Sequence, residues 1–311
     1  MVAYLGEFPS EEIEQSPTLA LLLGSARARL GQIDEGQRQV DLALASSQKR
    51  GDRNVEFRAL NARGAIALMR GQVDEAEQFF TRSLNAAKRE GDDATVGRCS
   101  NNLGIIEHYR GQYGRALSSY NIALAAFQQA GLKHGLAEVE HNMGITYRDQ
   151  RFLPRAREQA ERAVRAAKEV GDGTLSASTL AIQAEAWVLS GDVELARRQI
   201  DEALAVHREL GDELEITDDL LILARVVAAE GNAEEGERLL REVIERADRE
   251  KRPRMVAVGH RDLAHLLASV NRADEATDAA RTARVTYSDF GAVGEIQKLD
   301  DFIESLCYVA R

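Results

Sequence analysis

The residues able to do chemistry are few and scattered. Six histidines occur, His108, His134, His141, His207, His260 and His265. His260 and His265 lie close in sequence, but a separation of five puts them on different faces of a helix, which argues against a shared metal ion. The carboxylate pairs Asp218–Asp219 and Asp300–Asp301 are expected on solvated helix faces, where acid–base catalysis would still need a closed pocket. Cys99 and Cys307 are far apart and lack ligand-like spacing, so both read as reduced thiols, Cys307 as a buried or half-buried apolar residue. No Gly-rich phosphate loop, G-x-S-x-G or H-E-x-x-H is present. No catalytic residue, metal ligand or cofactor is therefore assigned. One polar series remains: Asn61, Asn101 and His141, flanked by Asn102 and Asn142. Asn is a poor interior helix residue, but its amide both donates and accepts, so it can clamp an extended backbone.

What positions that series is a 40-residue ruler. From Gly31, steps of 40 reach Gly71, Gly111, Arg151, Gly191, Gly231 and Asn271. A second ruler reads Gly51, Gly91, Gly131, Gly171, Gly211, Lys251 and Gly291. Gly and Asn tolerate the left-handed turn that ends a helix, so each period holds two helices of roughly 16 to 18 residues, about 25 Å long. Small residues recur at matching depth on both helices: Gly24, Gly64, Gly104, Gly144, Ala184, Ala224 and Ala264, then Gly36, Ala76, Ala116, Ala156, Ala196, Gly236 and Ala276. Gly inside a helix costs about 0.5–1 kcal/mol relative to Ala, and close approach of paired helices, with room for no more than a methyl, is the reason that offsets it. Phe80, Tyr120 and Ile200 share one slot of the second helix. Tyr147 and Trp187 share a first-helix slot and read as core filling.

Composition agrees with packed helices: 44% hydrophobic residues, few aromatics and four prolines. The formal charge of −11 opposes nucleic acid and anionic lipid as partners. No apolar run nears the roughly 18 residues needed to span a bilayer, no secretory signal is apparent, and the expected compartment is the cytoplasm. Residues 1–15 are expected as a lead-in that forms a short helix at 9–15, residues 16–291 as seven repeats, and 292–311 as a capping helix. Ser16 and Pro17 start the first helix, whose Leu19, Leu21 and Leu22 need cover from the lead-in, from a second subunit or from sequence outside this chain. Self-association through this apolar helix is thus one option. Glu304 stands where earlier repeats have Gly or Ala and stops the array.

A small residue, then G-x-x-[DE]-x-A, then an apolar second helix resembles the tetratricopeptide repeat. The 40-residue length with GD between repeats is similar to the lengthened subclass of kinesin light chains, LGN-type adaptors and bacterial MalT- and Rap-type regulators. The resemblance covers about Pro17 to Gly291 and is strongest in CSNNLGIIEHYRGQYGRALSSYNIALAAF and VEHNMGITYRDQRFLPRAREQAERAV. It implies an all-α solenoid, a right-handed superhelix of about seven hairpins plus a carboxy-terminal cap. The first helices would line an inner groove that receives peptides. No helix-turn-helix, nucleotide-binding segment or preceding bundle is seen, so a regulator of that kind would be represented by its sensor portion.

The family's register implies groove-facing residues Arg58, Asn61, Leu68, Arg98, Asn101, Ile105, Tyr109, Glu138, His141, Arg148, Leu221 and Arg225. For the adjacent Asn102 and Asn142, bridging between repeats is an equal alternative to binding; for Asn61 and Asn101 binding is preferred. The implied ligand is a peptide held by its backbone near repeats two to four, with apolar side chains against repeats five and six. The implied function is a protein-interaction scaffold or adaptor, with the peptide-sensing module of a bacterial signalling or transcriptional regulator as the alternative and part of an enzyme as a third reading.

Overall fold

The computed structural model describes residues 13, 15–289 and 292–309, with the side chains of 293 and 307–309 left aside. The described residues form helices in tandem, with no strand among them. We label these α1 (Pro17–Arg29), α2 (Ile33–Arg50), α3 (Arg53–Met69), α4 (Val73–Glu90), α5 (Asp93–Tyr109), α6 (Tyr113–Gln129) and α7 (Lys133–Asp149) in one compact unit, Met1–Gln150. The second unit, Arg151–Arg311, holds α8 (Leu153–Val170), α9 (Gly173–Ser190), α10 (Val193–Leu210), α11 (Glu213–Ala229), α12 (Ala233–Arg249), α13 (Pro253–Ser269), α14 (Ala273–Ser288) and α15 (Val293–Val309). Odd numbers are first helices of a pair and even numbers second helices. No helix among the described residues is long and apolar enough to cross a membrane.

Both rulers are visible in the backbone. Glycines of each series sit at left-handed φ, for example 74° at Gly71 and 71° at Gly91. Where the ruler lacks glycine, Arg151, Lys251 and Asn271 adopt the same conformation at φ 62°, 56° and 61°. On the second ruler the Asp of each GD pair then caps the next helix: Asp52, Asp92, Asp172 and Asp212 accept from the amides of Val55, Thr95, Leu175 and Glu215 at 3.1, 2.7, 2.9 and 3.3 Å. One residue thus stops a helix and the next starts another.

The small residues fill their slots for two different reasons. In the α1–α2 pair a methyl on Gly24 would lie 2.8 Å from the Gly36 carbonyl, and one on Gly36 would lie 2.8 Å from the Ala28 amide, so the backbones themselves touch. In the next two pairs the neighbour is a ring: Phe80 lies over Gly64 and Tyr120 over Gly104, at 2.6 and 2.5 Å from the missing methyl. Phe127 of α6 is seated on Gly97 of α5 and Gly135 of α7 together. Gly236 departs from the expected tightness, since its nearest atom would be the Leu266 Cδ2 at 3.3 Å.

At the amino end Ile13 is helical and buried with Leu21, Leu19 is half-buried beside them, and Leu22 remains 44% exposed. The rest of the expected lead-in helix lies outside the described residues, as do the Cys307 side chain and Gly291. At the other end α15 buries Leu299 and leaves Glu304 exposed. Arg284 of α14 donates to Asp300 at 2.5 Å.

Candidate functional site

In the first unit, α1, α3 and α5 enclose a cleft of about 260 Å³. Its floor is apolar, from Leu21, Leu22, Ala62, Ala65, Ile66 and Met69, and Arg29, Arg58, Arg98 and Asn61 stand on its walls. Leu22 and Met69 are exposed although large and apolar, at 44% and 54%. Among the described residues none pairs with Arg29, Arg58 or Arg98 in an ion pair. The structure therefore brings together three of the sequence-derived candidates, Arg58, Asn61 and Arg98. It adds Leu21, Leu22, Ser25 and Arg29 from α1. Those four stand 40 residues before Asn61, Ala62, Ala65 and Met69, a signal that sequence reasoning did not use.

The asparagine ladder bridges repeats. Asn102 donates through Nδ2 to the Asn61 Oδ1 at 3.3 Å, and Asn142 donates likewise to the Asn101 Oδ1 at 3.0 Å. The Cys99 thiol, with a single hydrogen to give, lies 3.1 Å from the Ser83 Oγ and 3.4 Å from the Asn61 Oδ1. Burial pushes that thiol up to about 12, with Ser83 opposing, so it stays protonated and unreactive. Asn101 is only 8% exposed, which corrects its preferred role as a ligand contact: its carbonyl is committed to Asn142. Asn61 lines the cleft, its oxygen being taken by Asn102.

The remaining candidates lie apart from the cleft. Leu68 and Ile105 are half-buried against the core. Tyr109 is exposed beside the His108 ring, 6.2 Å between centroids. Glu138 faces His134 at 3.5 Å, and Arg148 is held by Asp149 at 2.8 Å. Burial, reinforced by Arg148, pushes His141 down to about 4, so it is uncharged at neutral pH.

In the second unit the first helices are stitched by charge. Arg225 of α11 donates to Glu185 of α9 at 2.5 Å and to Asp262 of α13 at 2.6 Å. Arg261 bonds Asp262 at 2.9 Å and Glu295 of α15 at 3.1 Å. Arg225 is thus committed to carboxylates, and Leu221 is a core residue at 6% exposure. Neither is free to hold a ligand as the repeat register implied. Of the apolar side chains expected to meet a peptide in repeats five and six, Ala181 and Leu221 are turned into the core, while Leu189 is 38% exposed.

Sequence reasoning also misplaced Asp219, which is not a solvated surface charge, whereas the Asp218 side chain is 37% exposed. Asp219 is 1% exposed and accepts from the Nδ1 of the fully buried His207 at 2.7 Å. Asp218 accepts from Arg252 at 2.9 and 2.7 Å; burial, with Arg252 opposing it, pushes that carboxyl up to about 6. Burial disfavours charge on His207, but the bond to Asp219 and its charge outweigh this and hold the imidazole above its ordinary range. Nε2 of His207 lies 3.4 Å from the Ser178 Oγ. The order Ser178–His207–Asp219 has the outline of a nucleophile triad, but the Ser178 proton goes to Glu215 at 2.7 Å and His207 has no exposed surface. The signal for this cluster was weak because a polar residue on a second helix carries no period of its own. No group of three metal-ligating side chains is gathered among the described residues.

A tetratricopeptide-repeat model matches residues 15–89, 55–129 and 95–169. No curated protein sequence matches the chain. Among solved structures, the chain is similar to the apo form of RapI, with 12% identity over 91% of this chain and 99% of that one and a TM-score of 0.72. A Rap protein complexed with Competence and Sporulation Factor shares 11% identity over 98% and 90% of the two chains, TM-score 0.66. The apo quorum sensor NprR of B. thuringiensis shares 13% over 98% and 90%, TM-score 0.59. At such identities the likeness is one of fold.

Proposed function

Because the chain belongs to the tetratricopeptide-repeat family, we propose that it works as a binding module, an adaptor or scaffold that captures a peptide or a partner's extended segment between α1, α3 and α5. The observation that carries this reading is the cleft itself, an apolar floor with unpaired cations and an amide on its walls. Apolar floors with few placed polar groups are what ligand sites share. Capture rather than catalysis fits the Ser178 cluster, whose nucleophile is spent on Glu215 and whose base is sealed. The negative charge supports a protein partner over nucleic acid or membrane, and two cysteines without disulfide spacing support a reducing, cytoplasmic setting. A photoreactive amino acid placed at Met69 should cross-link partner peptide in cell extract, whereas one at the exposed Val285 should not. Equal labelling at both positions would remove the cleft from consideration.

A sensing role is the second reading. It is favoured by likeness to the quorum sensor NprR and to a Rap protein solved with its factor. Peptide capture that also changes the scattering radius of the full chain would support a sensor; an unchanged radius would support the scaffold.

A further inference from the structure

His207 is surrounded by groups that accept hydrogen bonds. Its imidazole, without exposed surface, sits on α10, which packs against α9 on one side and α11 on the other. Nδ1 faces Asp219 of α11 at 2.7 Å. Nε2 faces the Thr174 carbonyl and the Ser178 Oγ of α9, each at 3.4 Å, and the Glu215 carboxylate of α11 at 3.9 Å. A carbonyl and ionised carboxylates only accept. The Ser178 hydroxyl directs its single hydrogen to Glu215 at 2.7 Å, so it too turns a lone pair to the ring. A neutral imidazole carries a hydrogen on one nitrogen and a lone pair on the other. Either tautomer therefore sets a lone pair against an acceptor in a sealed site, and the doubly protonated ring does not.

We propose that the ring proton of His207 is a latch that fastens α11 to α9 and α10 and lets go when the medium turns alkaline. With the latch closed, the imidazolium ties α10 to α11 through Asp219 and leaves the Ser178 hydrogen to Glu215, a bridge from α9 to α11. Opening sends the Nε2 proton to solvent. The Ser178 hydrogen, which already has Glu215 at 2.7 Å and the Thr174 carbonyl at 3.0 Å to choose from, then turns to the bare Nε2. One event thus removes an ion pair and a bond between helices. The charges facing the ring are those of Asp219 and Glu215, both on α11, while α9 presents the Thr174 carbonyl and the Ser178 hydroxyl. On α10 itself Arg208 acts on Asp219, as does neighbouring Asp218, which Arg252 holds. Burial opposes charge on the ring, but Asp219 and Glu215 outweigh it and keep the folded value above the ordinary one. The contribution is therefore whole below about pH 6.5 and fades as pH rises through the folded value. Ser178 and Asp218 occupy in α9 and α11 the slot that Arg58 and Arg98 occupy in α3 and α5. Opening thus parts two consecutive first helices, the layer that walls the cleft in the first unit.

The test uses the full chain with nitrogen-15 in its histidines. At about pH 6 both ring nitrogens of His207 should carry hydrogen, and Nε2 should lose its own as pH is raised to about 9.5, well above the ordinary imidazole value. Hydrogen exchange in the same pH series, corrected for the intrinsic rate at each pH, reads the helices. Protection of the first two turns of α11 should fall at least about tenfold in step with Nε2, the size expected for one lost hydrogen bond to a charged group. Protection of α14 should stay level. Ser178→Ala, which leaves Asp219 on the ring, should lower α11 protection at acid pH and shrink its dependence on pH. Three results would each overturn the latch: a bare ring nitrogen at pH 6 in the folded chain, a ring that keeps both hydrogens throughout, or α11 protection that stays level while the ring titrates.

Discussion

Asp219 meets His207 between α10 and α11 with one short hydrogen bond and no water-exposed atom on the imidazole. Replacing that carboxylate by an amide leaves only the Glu215 charge and the Thr174 carbonyl to oppose burial, so Asp219→Asn should lower the His207 pKa. An NMR titration of the imidazole reads this directly. The sign for stability follows. A folded pKa above the unfolded one contributes fully below about pH 6.5, and the contribution fades as pH rises through the folded value. Denaturant midpoints should therefore fall with rising pH in that window for the parent chain, and the fall should shrink in Asp219→Asn. A simpler residue-scale test concerns the caps. Asp92 supplies the amide acceptor at 2.7 Å that starts α5, and Asp92→Ala should cost about 1 kcal/mol in chemical unfolding. An unchanged midpoint would show the first turn of α5 to be held by packing alone.

Helix pairs differ in what lies behind their small residues, and substitutions should sort accordingly. Gly24→Ala forces a methyl to within 2.8 Å of the Gly36 carbonyl and 2.9 Å of the Val40 amide, so loss of about 1–3 kcal/mol is expected from overpacking. Gly236→Ala meets only the end of a leucine at 3.3 Å. There the gain in helix propensity should dominate, leaving stability unchanged or raised by up to about 1 kcal/mol. Lys251 pays for a left-handed backbone with a side chain in place, and Lys251→Gly should add about 1 kcal/mol, read as a higher melting temperature. These elements were legible in the sequence because a turn glycine, an aspartate cap and a small residue each answer a local demand that repeats every 40 residues. What filled the space above each glycine was not legible: backbone at Gly24, a ring at Gly64 and slack at Gly236 arise from side chains on another helix.

Across the molecule the two units treat the same helix faces differently. The first leaves arginines open around an apolar cleft; the second closes its charges on one another through Arg225, Asp262 and Arg261. Arg225→Ala should therefore take one charged partner from each of Glu185 and Asp262, half-hidden at 15% and 13% side-chain exposure, with Arg261 still on Asp262, and cost about 1.5–3 kcal/mol in equilibrium unfolding. A neutral effect would mean that those carboxylates find other donors. The site was legible only in part for the same reason. A repeat register assigns which residues share a face, so Arg58, Asn61 and Arg98 were found. It is blind to whether a charge on that face is already answered, as Arg225 is, or whether an amide is taken, as Asn101 is.

Phe127 rests on glycines of two successive first helices, Gly97 and Gly135, while Phe80 and Tyr120 each need the glycine of their own pair. Such matching restricts how the gene could be rearranged. A crossover that joined the first helix around Ala184 to the second helix carrying Tyr120 would set a ring against a methyl, so duplications and deletions are tolerated only when they carry a helix together with the glycine its ring covers. The modules look alike in outline, yet they are not spare parts for one another.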